Sequence, residues 1–188
     1  ENDFGNNIIP NLLRDGRNMY AYRFSGYWKD VGTLESLWDA NMDMLSPDSG
    51  LDLSDESWPI YARSVDAPPI YMGGDSHVSH SAINRGCDIE GTVENSVLSP
   101  RVTIEKGARV SYSVILPGVT VEAGSVIEYA IIGEGCHIGR ECRVGGTPDS
   151  APGGKWNLTV LAPDCALEDG REIAPGVMLD RYGKEVLK

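Results

Sequence analysis

Aliphatic residues recur at every sixth position through the middle of the chain. Six-residue windows led by Ile83, Ile89, Ile104, Val121, Ile132 and Ile138 usually carry a small or acidic residue second, and a small or β-branched one fifth. Leu161, Leu167 and Ile173 resume the rhythm after a gap. A period of six is neither the period of about 3.6 of a helix nor the plain alternation of a hairpin strand. It predicts a hexapeptide type of parallel β-helix, in which each hexad supplies one short strand and one corner.

The geometry explains the residue types. Three hexads make a triangular coil of about eighteen residues, and coils stack at about 4.8 Å, the spacing of paired strands. First positions point inward and build ladders of Ile, Val and Leu; fifth positions face a crowded place near the corner and take Ala, Ser, Val or Cys. Ile104, Val121 and Ile138 stand 17 apart, so one residue is deleted from these coils, and the corner at Leu116-Pro117-Gly118 is the expected place. Cys87, Cys136, Cys142 and Cys165 all fall in fifth positions, which reads as small buried fillers rather than a disulfide frame or a zinc site. Parallel crossovers are normally right-handed; resemblance to the known hexapeptide folds, which are the exception, implies a left-handed coil. Terminal coils expose strand edges that need a cap or a partner, so an oligomer is expected.

The flanks read differently. Residues 1–45 predict the end of an α/β domain, 46–57 an acidic, Ser-rich linker, and 58–188 the solenoid. Residues 6–13 suit a short helix with Pro10 in its first turn, and Asp15-Gly16 a turn. Residues 19–30 read as one extended strand with Tyr20, Tyr22 and Phe24 on one face. Thr33 is the expected N-cap of a helix whose stripe is Leu34, Leu37, Trp38, Met42 and Leu45. A chain opening this way reads as a piece of something longer. Residues 147–155, rich in Pro and Gly, predict a loop leaving the solenoid, and 182–188 a final strand or tail over the last coil.

Charge narrows the partners. The formal net charge is −12, from 28 acids against 16 bases. Nucleic-acid phosphates would be repelled on balance. No apolar run approaches the ~20 residues of a membrane span, and no signal peptide is recognisable, so a cytoplasmic location is expected.

The candidate chemistry lies near the start. In an extended Tyr27-Trp28-Lys29-Asp30, Trp28 and Asp30 share a face. A flat aromatic beside a carboxylate can hold a sugar ring and a divalent cation that also touches phosphate, and Mg²⁺ usually takes only one or two protein carboxylates. The same pair also suits a core-anchoring Trp beside a turn-forming Asp. His77 and His80 diverge if both lie on extended backbone, and His137 at a corner is where hexapeptide acyltransferases place a base; a solvent-facing His reads equally well. Arg140, Arg143, Lys155 and Arg171 flank the break in the solenoid and could hold an anion, or pair with Glu134, Glu141 and Asp149.

Asp3-Phe4-Gly5, Ile8-Ile9-Pro10 and the run Gly26-Tyr27-Trp28-Lys29-Asp30-Val31-Gly32-Thr33 through Asn41 resemble the bacterial glucose-1-phosphate adenylyltransferases. The resemblance continues through the hexads and implies a nucleotidyltransferase domain followed by a left-handed β-helix. It implies that Asp3, Phe4 and Trp28 contact glucose 1-phosphate and that Asp30 binds catalytic Mg²⁺. The implied reaction makes ADP-glucose and pyrophosphate from ATP and glucose 1-phosphate, for glycogen synthesis. The β-helix would then serve assembly, as in the tetramers of that family, and regulation by a sugar-phosphate effector, for which the basic cluster is the candidate. The family's Gly-rich nucleotide loop, its triphosphate-gripping basic residue and its second metal carboxylate have no counterpart here, so the chain alone is expected to be inactive. A non-catalytic regulatory subunit of the same assembly and, more distantly, a hexapeptide acyltransferase are the alternatives. Asp3, Trp28 and Asp30 favour the catalytic form.

Overall fold

The computed structural model describes residues 2–53, 55–57, 59, 61, 65–147 and 157–186. Its body is a parallel β-solenoid with three faces, each a six-stranded sheet. Face A holds Tyr71–Met72, Asp88–Ile89, Thr103–Ile104, Thr120–Val121, His137–Ile138 and Ala166–Leu167. Face B holds His77–Ser79, Thr92–Glu94, Arg109–Ser111, Val126–Glu128, Arg143–Gly145 and Glu172–Ile173. Face C holds Ala82–Ile83, Val97–Leu98, Val114–Ile115, Ala130–Ile132, Thr159–Leu161 and Met178–Leu179.

Register makes the ladders. Ile89, Ile104, Val121, Ile138 and Leu167 stand in line on face A. Val93, Val110, Ile127 and Val144 do so on face B. Leu98, Ile115, Ile132 and Leu161 do so on face C. These side chains are buried in one continuous core, and removal of such apolar surface from water is the main favourable term of folding. The corner fillers behave as their size requires: Cys87, Cys136, Cys142 and Cys165 are free thiols, each buried. The Sγ–H groups of Cys87, Cys136 and Cys142 donate to the carbonyls of Ser99, Ala162 and Glu168.

Two details of the hexad reading are corrected. The missing residue is not at Leu116-Pro117-Gly118, where the step from Ile115 to Val121 is a full six. It is lost at the corner between faces B and C, where Val110 to Ile115 and Ile127 to Ile132 are five. There a single residue in the left-handed region turns the chain: His80, Asn95, Tyr112 and Tyr129, with φ between 44° and 49°. An αL residue reverses the backbone in fewer residues than the Pro-Gly turn, at some steric cost for anything but glycine. Ser96 and Ser113, next along, help hold this corner: each hydroxyl donates to the carbonyl two residues back and accepts the N–H of the coil above, from Ser113 and Ala130, at 3.1 Å. The window led by Ile89 is also not a hexad, because Val93 is itself an inward residue of face B. That tight corner needs Gly91, since a Cβ there would press into the Ala108 and Glu105 carbonyls.

Ahead of the solenoid, a helical turn Phe4–Ile8 leads into α1 (Ile9–Arg14), with Pro10 in its first turn. Helix α2 (Leu34–Asp43) begins at Thr33, whose Oγ1 accepts the Ser36 N–H while Ser36 Oγ accepts that of Thr33. Its apolar side, Leu37, Trp38 and Met42, lies on the outer surface of face C against Val114, Ile131 and Leu158. That contact explains why face C is apolar on both sides.

The strand expected over 19–30 does not form. Among the described residues no segment pairs with it, and an extended segment without a ladder partner is not a strand. Tyr20 and Tyr22 are 93% and 88% exposed. The tail folds back antiparallel along Met178–Leu179, with the Val186 N–H donating to the Met178 carbonyl. The loop expected at 147–155 lies outside the described residues from 148 on. Among the described residues no helix is long and apolar enough to cross a membrane.

Candidate functional site

The extended backbone of 27–30 keeps its alternation without a sheet. Tyr27 and Lys29 are half-buried, while Trp28 and Asp30 are exposed, Trp28 at 76%. The inward pair meets one acid. Tyr27 Oη donates to Asp43 Oδ2 at 3.0 Å, and Lys29 Nζ reaches the same oxygen at 2.7 Å, with Asp39 at 3.9 Å. Asp43 ends α2, where negative charge opposes the helix dipole and no basic residue of the helix offsets it; the Lys29 ammonium does. The bond to Lys29 holds the Asp43 carboxyl below its usual range and raises the Lys29 amine, while burial, then Asp43, raises the Tyr27 phenol.

On the exposed side, Asp30 makes no hydrogen bond or ion pair among the described residues, which leaves both its oxygens for a cation. One carboxylate with open positions suits Mg²⁺, which fills the rest of its octahedron with phosphate and water. Among the described residues no group of three or more His, Cys, Asp or Glu gathers to hold a metal by itself. Asp3 and Phe4 open the first helical turn: the Asp3 carboxylate accepts the Asn6 N–H, and Phe4 is 70% exposed. No hydrogen bond among the described residues links Asp3 to Trp28 or Asp30. A cleft of about 550 Å³ opens beside this stretch between Phe24, Gly26 and Tyr27 on one side and Leu51, Asp52 and Asp55 on the other.

The basic cluster is only partly brought together. Arg143 stands outward on face B and donates its N–H to the Arg171 carbonyl one coil up. Arg140 Nε pairs with Glu122 at 3.4 Å, not with Glu134 or Glu141, and Glu122 also takes His137 Nε2 at 3.0 Å. Arg143 and Arg171 have no carboxylate partner among the described residues. Lys155 and Asp149 lie outside them. His77 faces Glu94 at 3.7 Å, whereas His80 Nδ1 meets Asn95 Oδ1 at 2.8 Å, so the two imidazoles part company.

Sequence reasoning missed three residues. One is Asp43, which joins Tyr27 and Lys29. The others are Tyr112 and Tyr129: their rings stack at 4.7 Å, Trp38 stacks on Tyr129 at 6.1 Å, and Trp38 Nε1 donates to the Tyr112 carbonyl at 2.8 Å. The signal was present: the two tyrosines stand 17 apart, in phase with the coil.

Residues 1–47 match the nucleotidyl transferase family and residues 71–159 the GlmU-like, C-terminal hexapeptide family. The chain therefore joins a segment matching a nucleotidyltransferase domain to a hexapeptide β-helix, consistent with the left-handed type that the resemblance to hexapeptide folds implies. It is similar to a glucose-1-phosphate adenylyltransferase. The enzyme of that name from Geobacillus stearothermophilus is 54% identical over 108 residues, which make up 57% of this chain and 28% of that protein. Among solved structures, the acetyltransferase domain of PglB from Neisseria gonorrhoeae FA1090, in complex with acetyl coenzyme A, superposes with a TM-score of 0.48 at 19% identity. The match covers 64% of this chain and 58% of that one.

Proposed function

We propose that this chain is part of a glucose-1-phosphate adenylyltransferase, contributing one wall of its sugar-phosphate site and the β-helix used for assembly and regulation. The observation that carries the reading is the coincidence of two modules in one chain, with Asp3, Phe4, Trp28 and Asp30 all inside the segment that matches the nucleotidyl transferase family. The domain boundaries near 45 and 58 belong to the same reading, as do a homo-oligomeric assembly and a cytoplasmic location.

The reaction joins the phosphate of glucose 1-phosphate to the α-phosphorus of ATP in line, expelling pyrophosphate and leaving ADP-glucose. In phosphoryl and nucleotidyl transfer of this kind the protein contributes chiefly position and charge neutralisation. The exposed Trp28 ring would lie against the sugar. Asp3 and Phe4 would flank the sugar phosphate. Asp30 would hold the Mg²⁺ that supplies positive charge to the reacting oxygens. Arg140, Arg143, Lys155 and Arg171, which flank the break in the solenoid in sequence, are the candidate seat of a sugar-phosphate effector.

In the complete enzyme, Asp30→Asn is expected to lower kcat/KM by about a hundredfold or more and to raise the Mg²⁺ needed for half-maximal rate. Unchanged metal dependence would remove Asp30 from this role. The 188-residue chain by itself is expected to form no ADP-glucose from ATP and glucose 1-phosphate.

A further inference from the structure

We propose that Asp43 is a positioning residue for the sugar-phosphate site: from the end of α2 it grips Tyr27 and Lys29 and so turns Trp28 and Asp30 outward together. The inference rests on the reading of Trp28 and Asp30 given above.

Three observations carry it. Residues 19–30 have no ladder partner among the described residues, so main-chain hydrogen bonds to a sheet do not fix their roll. The side-chain anchors that the structure places there are the Tyr27 phenol and the Lys29 ammonium, both on Asp43 Oδ2, at 3.0 and 2.7 Å. Anchors at alternate residues of an extended chain set the facing of the residues between and next to them, because successive side chains point to opposite sides. A half-turn of this backbone would bury Trp28 and Asp30 and expose Tyr27 and Lys29. The carboxylate is itself held in place: the other side of the same ten-residue helix is seated on face C by Leu37, Trp38 and Met42. The site's wall is therefore fixed to the solenoid through one acid. The charged or titratable groups in contact here are Tyr27, Lys29, Asp39 and Asp43.

The test uses the complete enzyme with Asp43→Ala, Asp43→Glu and Lys29→Met. Loss of a charge-assisted hydrogen bond that holds a reacting geometry corresponds to roughly tenfold. Asp43→Ala is expected to raise the KM for glucose 1-phosphate and the half-saturating Mg²⁺ by about that factor, with the KM for ATP within about twofold. Asp43→Glu should recover part of the loss, and Asp43→Ala with Lys29→Met should be no worse than the poorer single variant. Equal loss toward ATP and sugar phosphate, or full additivity of the two substitutions, overturns the proposal. If the unaltered enzyme lacks adenylyltransferase activity, the functional reading falls instead. The strut is then decided in the 188-residue chain, where Asp43→Ala should speed tryptic cleavage after Lys29 about tenfold; an unchanged rate overturns it.

Discussion

Replacing Trp38 by alanine tests whether α2 is held by its seat or by its own helical tendency. The indole donates a hydrogen bond to the Tyr112 carbonyl and makes a ring contact with Tyr129, and it is half-buried on face C. The bond is worth about 1 kcal/mol and the ring contact about 0.5–1 kcal/mol. Partial burial of the remaining apolar surface adds about 1 kcal/mol. The loss is thus roughly 2.5–3 kcal/mol, which corresponds to a change of about a hundredfold in an equilibrium constant. Alanine is the better helix former, so any loosening must come from the seat. Amide hydrogen exchange reads this locally. The amides of 34–43 should exchange about a hundredfold faster in Trp38→Ala and about tenfold faster in Trp38→Phe, which keeps a ring but no N–H donor. Core amides such as those of Ile115 and Ile132, deep in the stack, should not change. Unaltered exchange in α2, or equal acceleration in the core strands, would refute the seat.

Gly91→Ala should destabilise the chain by about 2 kcal/mol or more in denaturant melts, because the new methyl meets two backbone carbonyls, whereas Gly74→Ala, with nothing near it, should stay within about 0.5 kcal/mol. Equal effects would show that the Gly91 corner yields. Burial pushes the Cys136 thiol up to about 11 from 9.0. The unfolded chain therefore ionises this thiol first, so stability should fall as pH rises from about 9 to 11, and Cys136→Ala should flatten that slope. A slope unchanged by the substitution would place the titration elsewhere.

The solenoid was legible because the same inward residue recurs in every coil; Ile104, Val121 and Ile138 report their register directly. The shortened corner was not, because Leu116-Pro117-Gly118 carries the stronger turn signal while Tyr112 and Tyr129 disfavour the φ they adopt. Their strain is met by stacking and by the seated Trp38, which no local pattern expresses. The facing of Trp28 and Asp30 followed from alternation alone. The strand from 19 to 30 did not, since a strand is defined by its neighbour, and nothing among the described residues pairs with it. Asp43 was illegible for a similar reason: its partners lie 14 and 16 residues back and meet it only when the chain folds over.

The joint between α2 and the prism occupies three adjacent coils, those of Tyr112, Tyr129 and Leu158, of the six that the described residues form. Whole turns could be added or lost above and below without disturbing it, since each new coil would only displace its outer neighbours by one step of about 4.8 Å. A single extra residue beside Tyr112 would do what an entire turn would not: lengthen the short corner and pull the two rings out of stack. For a protein of this build, height is free to drift between lineages while phase at one edge is not.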